Sequence, residues 1–446
     1  MENIPNIKKH SRTTSLLLIL IIILGAWLRI EATLKTQVDA PLRADALNYF
    51  SYAYNLRHYG IYSKDHSFIQ FEQATTLKPD ALSPPGYPFL LLPFASEIPT
   101  DKTVLHITLI QALLGILVIY LTYVASAQFL EKSWALLPCF LVAISPQLIN
   151  CGVYVLTESL FTFLMTAAIT CLAIQANRPE NQLLTFFGGL FLGAATLTRP
   201  TLNYIIPFLL AALLPLLGKG LRWKWTITLI AGFLAIMLPW AIRNWLTLGG
   251  TDPTLAISAL IHGHYPGAMY NGNPETLGYP YRFDPEISQI SLNIGVALKS
   301  IIARVVTEPA TYLNWYLIGK PLMFFSWEDI ASTGEFFTYP TLSSPYYGTP
   351  AFLASKYVMQ STHYLWVIFA ALTSLIPFIK YRDDPKNSTI FIQKLLATFF
   401  IYFVLIHMAG FPLARYSTPL LPITFMLATP GIIQALKMHK KRTQAQ

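Results

Sequence analysis

The sequence predicts an all-α polytopic membrane protein, with about ten transmembrane helices and two large extracytoplasmic loops that carry interfacial helices. Three observations carry that prediction. Of 446 residues, 54% are hydrophobic and only 12% charged, whereas soluble globular domains carry about 25% charged residues. Aromatic residues make up 14% of the chain, which suits wide belts at the membrane–water interfaces. Apolar runs also recur at lengths near the ~20 residues that a helix needs to cross a bilayer.

The first run, at about 14–34, follows a basic start (Lys8, Lys9, Arg12). It is too long for a simple signal h-region and lacks a small-residue cleavage site, so it reads as a retained first helix. Further spans are expected at about 103–129, 133–149, 154–175, 183–198, 202–217, 225–246, 357–379, 389–408 and 417–436. Several are short, as helices that end at a buried hydrated cavity would be. The basic residues then set orientation. Lys8, Lys9, Arg12, Lys132, Arg178, Lys219, Arg222, Lys224, Lys380, Arg382, Lys386, Lys437, Lys440, Lys441 and Arg442 fall on one predicted side. The positive-inside rule makes that side the cytoplasm and places both termini there.

Two long segments then lie outside, at about 35–102 and 247–356, within a single membrane-embedded unit over 1–446. In the second, Leu292–Trp327 is apolar but carries Lys299, Arg304, Glu308 and Lys320. It reads as interfacial helices with snorkelling bases, not as a crossing.

Composition also excludes. The formal net charge of +9 is spread over short segments between spans, where it orients helices and meets anionic lipid, so no nucleic-acid partner is implied. No GxxxxGK[ST] loop and no strand–GxGxxG–helix pattern occurs, which disfavours an ATP-driven pump or a nucleotide-sugar enzyme on a Rossmann domain. No internal repeat stands out, which lowers the prior for a secondary transporter. Cys139, Cys151 and Cys171 lie in or beside apolar runs without metal-ligand spacing and read as small core residues.

Six stretches could carry chemistry. Val38–Tyr62 (VDAPLRADALNYFSYAYNLRHYGIY) holds Asp39, Arg43 and Asp45 before an aromatic-rich helical pattern. At ~3.6 residues per turn, Asp45, Tyr49 and Tyr52 fall near one face. Taken alone, this is as well explained by an amphipathic helix lying on the bilayer. LSPPGYPFLLLPF (Leu82–Phe94) makes a rigid Pro-Pro-Gly corner that delivers Tyr87. YVLTESLFTF puts Glu158 at the outer start of an apolar span, where the helix dipole favours it and the membrane makes it costly. TLTRPT, PWAIRNW and ARYSTPLLP place Arg199, Arg243, and Arg415 with Tyr416, at three outer helix ends. One such arginine is ordinarily an interfacial anchor. Three on the side that holds two acids suggest a pocket for an anionic lipid headgroup, because guanidinium matches phosphate oxygens by paired hydrogen bonds.

In that order these stretches resemble the landmarks of the C-type integral membrane glycosyltransferases, above all bacterial family 39, the protein-mannosyltransferase-like group, and its relatives that add aminoarabinose to lipid A. The resemblance runs from Leu16 to Leu436. It implies a helical bundle with an external active site that passes a sugar from a polyprenyl-phosphate carrier to an acceptor outside the cytoplasm. By that resemblance Asp45 matches a first-loop catalytic base and Glu158 a second acid. Tyr87, Arg243, Arg199 and Arg415 match positions near the carrier phosphate, with Arg43, Tyr49 and Tyr416 alongside as substrate-binding residues. Two departures stand out: Ala46 follows Asp45 where many relatives have an acidic pair, and Pro88 and Phe89 stand where a base often follows the Pro-Pro motif.

Asp45 and Glu158 without a nearby histidine would suit a hard divalent cation. His262 and His264 in the second loop could ligate a metal, though loop histidines more often hydrogen-bond. The competing reading is a lipid-linked glycan transporter or flippase that uses the same basic pocket without breaking a bond. A purely structural scaffold poorly explains charges gathered on one side. With the retained hydrophobic start, the overall size and the lack of long eukaryote-like luminal inserts, the resemblance implies a bacterial inner membrane, with membrane lipids as constant partners.

Overall fold

The computed structural model describes residues 12–67, 77–250, 252–268, 276, 278–328, 336–379 and 387–444. In chain order its principal helices are α1 (Arg12–Lys35), α2 (Ala44–Tyr59), α3 (Asp101–Ser126), α4 (Leu136–Ile144), α5 (Pro146–Asn150) and α6 (Glu158–Ala176). They continue with α7 (Gln182–Thr198), α8 (Ile205–Leu213), α9 (Lys219–Leu248), α10 (Ile294–Thr307), α11 (Pro350–Ile379), α12 (Ser388–Ala409) and α13 (Leu421–Gln444).

The protein is an all-α polytopic membrane protein. Among the described residues, seven helices are long and apolar enough to cross a bilayer: α1, α3, α6, α9, α11, α12 and the Ala414–Lys440 span that includes most of α13. The bent pair Leu136–Ile144 and Pro146–Val153 counts as an eighth if its two halves form one span, and α7 and the Ile205–Leu216 segment are shorter apolar helices. Leu16, Ile19, Leu20 and Ile23 stand exposed on α1. Such a face is covered by lipid, not by water. At the centre lies α6, most of its residues buried, packed by α3, α7 and α12. Of the orienting bases, Lys8, Lys9, Lys380, Arg382 and Lys386 lie outside the described residues.

Three devices hold the bundle together. In the first, α7 and α9 approach backbone to backbone. A Cβ on Gly189 would collide with the Leu229 carbonyl, one on Gly232 with the Phe186 carbonyl, and one on Gly193 would sit 2.7 Å from the Phe233 carbonyl. Small residues four apart bring helices close where no hydrophobic force between them exists in lipid.

The second device explains the bend of 54° between α4 and α5. The expected straight span at 133–149 breaks at Ser145–Pro146, since proline lacks the N–H that would continue the ladder. The freed carbonyls of Val142 and Ala143 accept hydrogen bonds from Arg29 of α1 at 2.9 and 3.0 Å. Arg29 is only 3% exposed, and a guanidinium at that depth is stable because it meets carbonyls that would otherwise be orphaned.

The third device ties the two long segments together. Gln37–Val38 pairs antiparallel with Thr341–Ser343, and the Asp39 amide donates to the Pro340 carbonyl at 2.8 Å. The Leu292–Trp327 region is broken into α10, Pro309–Asn314, a π-turn at Trp315–Gly319 and Lys320–Phe324. None of these pieces reaches the length of a span. Lys320 is fully buried and donates to the Met408 and Gly410 carbonyls at the end of α12 (2.7 and 2.9 Å). Burial pulls its ammonium down to about 7.

Candidate active site

Each charged group of the site stands where a helix begins or ends. Ala44 takes φ +47°, a left-handed conformation that costs an alanine of order 1 kcal/mol and persists only where the surroundings hold it. The turn it makes sets Asp45 in the first turn of α2, where the N-terminal dipole favours an acid. Glu158 opens α6. Arg199 closes α7 in extended backbone, the conformation imposed on a residue that precedes proline. Arg415 and Tyr416 fill the short turn ahead of α13.

Tertiary structure pairs these groups. Arg199 donates to Glu158 Oε1 at 2.7 Å, and Arg415 to Asp45 Oδ2 at 3.0 Å. The Tyr416 ring lies between the two arginines, 4.5 Å from the Arg199 guanidinium carbon and 5.3 Å from that of Arg415. The pairs differ in exposure. The Glu158 and Arg199 side chains are 5% and 12% exposed, whereas Asp45 is 43% exposed against 17% for Arg415. Asp45 is therefore open to bulk water, whereas Glu158 is largely withdrawn from it. A cavity of about 20 Å³ is lined by both Glu158 and Arg415, together with Gln147, Trp327 and Phe336.

Tyr49 and Tyr339 flank this quartet. Burial, then the Asp45 charge, raises both phenols, Tyr339 to about 12. Both are neutral donors at any physiological pH. Arg43 is exposed; its carbonyl accepts from Tyr339 at 3.4 Å, and its guanidinium carbon lies 5.9 Å from that ring.

Two of the expected residues are engaged in other ways. Arg243 donates to the backbone carbonyls of Asp80 (2.8 Å) and Tyr62 (3.3 Å) and lies against the Trp240 ring at 4.9 Å. It belongs to a neighbouring aromatic cluster with Tyr62, Tyr52 and Asp80, where the Tyr52 hydroxyl bonds the Asp80 carboxylate. Tyr52 is thus in the core and not on the Asp45 face. Tyr87 is fully buried and donates to Gln111 Oε1 at 2.6 Å. Gln111 in turn donates to the Gly152 and Tyr154 carbonyls at 2.9 and 2.7 Å, fixing the turn that leads into Glu158. Gln111 was not among the residues that the sequence singled out. A buried glutamine in an apolar span is its only signal.

Asp45 and Glu158 stand in separate ion pairs. Both carboxylates already face guanidinium groups, and among the described residues no group of three or more His, Cys, Asp or Glu could hold a metal. His262 stacks on Tyr281 at 3.7 Å, and His264 on Tyr312 at 4.5 Å. Burial, with Arg304 and Lys320 adding to it, lowers His264 to about 4.

Residues 83–243 match the dolichyl-phosphate-mannose-protein mannosyltransferase family. The matched stretch holds Tyr87, Glu158, Arg199 and Arg243 and leaves out Asp45 and Arg415. No curated protein matches the chain. Among solved structures, the archaeal oligosaccharyltransferase AglB from Archaeoglobus fulgidus, in complex with an inhibitory peptide and a dolichol-phosphate, superimposes with a TM-score of 0.54 at 13% identity, over 98% of this chain and 52% of that one. The same enzyme tethered to an acceptor peptide gives 0.54 at 15% identity over 96% and 51%. ArnT from Cupriavidus metallidurans bound to undecaprenyl phosphate gives 0.40 at 12% identity over 94% and 77%. The chain spans about half the length of the oligosaccharyltransferase whose fold it shares. The resemblance to the C-type integral membrane glycosyltransferases read from the motifs is borne out by the family match and this fold.

Proposed function

We propose that this chain is a membrane glycosyltransferase that moves a sugar from a polyprenyl-phosphate-linked donor to an acceptor on the extracytoplasmic face of a bacterial inner membrane. The acceptor is a glycolipid, a glycan or a protein hydroxyl. On this reading all ten apolar segments cross, the chain is one membrane-embedded unit, and the segments at 35–102 and 247–356 lie outside. The basic helix ends at Lys132, Arg178, Lys219, Arg222 and Lys224 then face the cytoplasm, opposite Asp45 and Glu158, as the positive-inside rule requires.

One observation carries the reading. Two acids and two arginines from four separate stretches form adjoining ion pairs around Tyr416, one pair buried and one open to water. The buried pair builds the frame. The open pair suits chemistry. Cleaving a sugar–phosphate bond builds positive charge at the anomeric carbon and negative charge on the leaving phosphate. A guanidinium already in place stabilises that phosphate without reorganising solvent. When Arg415 turns to the phosphate it releases Asp45, whose carboxylate then accepts the proton of the attacking hydroxyl. A single displacement of this kind inverts the anomeric centre. Glu158 holds Arg199 toward the same phosphate, and Arg243 and Tyr87 support the loops behind.

Mass spectrometry of surface glycolipids and glycoproteins, from cells with and without the protein, tests the reading. A sugar lost only in its absence identifies donor and acceptor together. An unchanged profile, with carrier lipid moved across the membrane, would favour the transporter instead.

A further inference from the structure

The sequence reads Lys320 as a snorkelling base, yet its side chain is fully buried and plays no part in the chemistry proposed above. Its ammonium is committed to backbone. It donates to the Met408 carbonyl at 2.7 Å and to the Gly410 carbonyl at 2.9 Å, and the Tyr316 ring lies 4.0 Å from it. Met408 lies in the last turn of α12 and Gly410 just past it. Carbonyls there have no intrahelical amide to meet, so a buried helix end needs a donor from elsewhere. Lys320 supplies it from 88 residues back along the chain.

Other parts of the second long segment hold the same turn. A Cβ on Gly263 would collide with the Gly410 carbonyl, so the helix Thr254–His264 meets this turn backbone to backbone. Trp315 keeps it there, donating from Nε1 to the Gly263 carbonyl at 3.0 Å. The Lys320–Phe324 turn also packs directly on Ala414–Ser417, which carries Arg415 and Tyr416. A further contact runs through His407, whose ring stacks on Phe324 at 4.8 Å and lies 5.7 Å from Tyr416. Both ends of the 408–417 stretch therefore rest on the second long segment, and Lys320 bonds its backbone directly.

We propose that Lys320 is a positioning residue for Arg415 and Tyr416. By holding the two carbonyls at the end of α12, it fixes where the following turn delivers the guanidinium that meets Asp45 and the ring that lies between the two arginines. This role rests on the transfer reading and extends it, since a residue that bonds neither acid then sets the geometry at the carrier phosphate. Without the ammonium, the two carbonyls find donors only if the turn shifts. A shift of about 1 Å at a reacting group costs on the order of a hundredfold in rate.

Two measurements on the purified full chain in lipid nanodiscs test it. Hydrogen exchange reads the anchor without substrate: Lys320→Met is expected to speed exchange over Met408–Ser417 roughly fivefold or more, with α1 and α3 unchanged. Binding of undecaprenyl phosphate, a polyprenyl phosphate used as the probe, reads the consequence at Arg415. Lys320→Met and Arg415→Gln are each expected to weaken it, roughly fivefold and tenfold. The double variant should bind no more weakly than Arg415→Gln alone, because the two changes remove one interaction. Losses that multiply in the double variant overturn the proposal, as does exchange over Met408–Ser417 that matches wild type. If wild type itself does not bind undecaprenyl phosphate, the transfer reading fails, and the exchange result alone decides whether Lys320 holds the turn. Should Lys320→Met not fold, Lys320→Gln, with a donor for one carbonyl, takes its place under the same criteria.

Discussion

Arg199 reaches Glu158 at 2.7 Å from a helix end 41 residues along the chain, and both side chains are largely withdrawn from solvent. Breaking a buried pair on one side leaves an uncompensated charge, which costs about 3–5 kcal/mol. Glu158→Gln and Arg199→Gln are each expected to lower the thermal midpoint sharply. The double variant should lose less than the two single losses added. Additive losses in a double-mutant cycle would show that the pair is not coupled.

Asp45 and Arg415 make the opposite case. With Asp45 43% exposed, an ion pair of this kind contributes ~1 kcal/mol or less. Asp45→Asn should therefore leave the thermal midpoint within a degree or two while transfer from a polyprenyl-phosphate sugar falls roughly 10²–10⁴-fold, the range of a general base. Product formation at the wild-type rate would remove Asp45 from that role.

Arg29 carries no part of the proposed chemistry. Arg29→Met strands the Val142 and Ala143 carbonyls at the break between α4 and α5, at about 1–3 kcal/mol for each unsatisfied group. Thermal unfolding should show the loss, while activity per folded molecule stays near that of wild type. Arg29→Lys has one cation in place of a planar fork and should recover only part of the stability.

At Gly232 any side chain meets the Phe186 carbonyl. Gly232→Val is expected to force α7 and α9 apart and to cost several kcal/mol of packing. Because α7 ends at Arg199, transfer activity should fall with it. A variant that is as stable and as active as wild type would show that the close approach is dispensable.

Stability should rise with pH in two windows. His264 has its pKa lowered to about 4 from 6.5, and Lys320 to about 7 from 10.5. In both cases the unfolded chain holds the proton over the interval, so protonation favours unfolding. The folded state therefore gains stability as pH rises from about 4 to 6.5, and again from about 7 to 10.5. Denaturant midpoints across pH check this, and Lys320→Met should flatten the upper window alone.

The apolar runs by themselves determined the class of the protein and the helical segments, because a span is dictated by local hydropathy and length. The charge left at helix ends was equally legible: Asp45, Glu158, Arg199 and Arg415 stand out because an ionised group beside an apolar run has to be met by something. What meets it is a question of distance in space, and only the tertiary structure answers it. The partner of Asp45 lies 370 residues away, and the local pattern held no trace of that pairing, of Arg29 at the helix break, or of the strands that join the two long segments. For the same reason Arg243 and Arg415, alike as bases at helix ends, came to bind a pair of backbone carbonyls in one case and a carboxylate in the other.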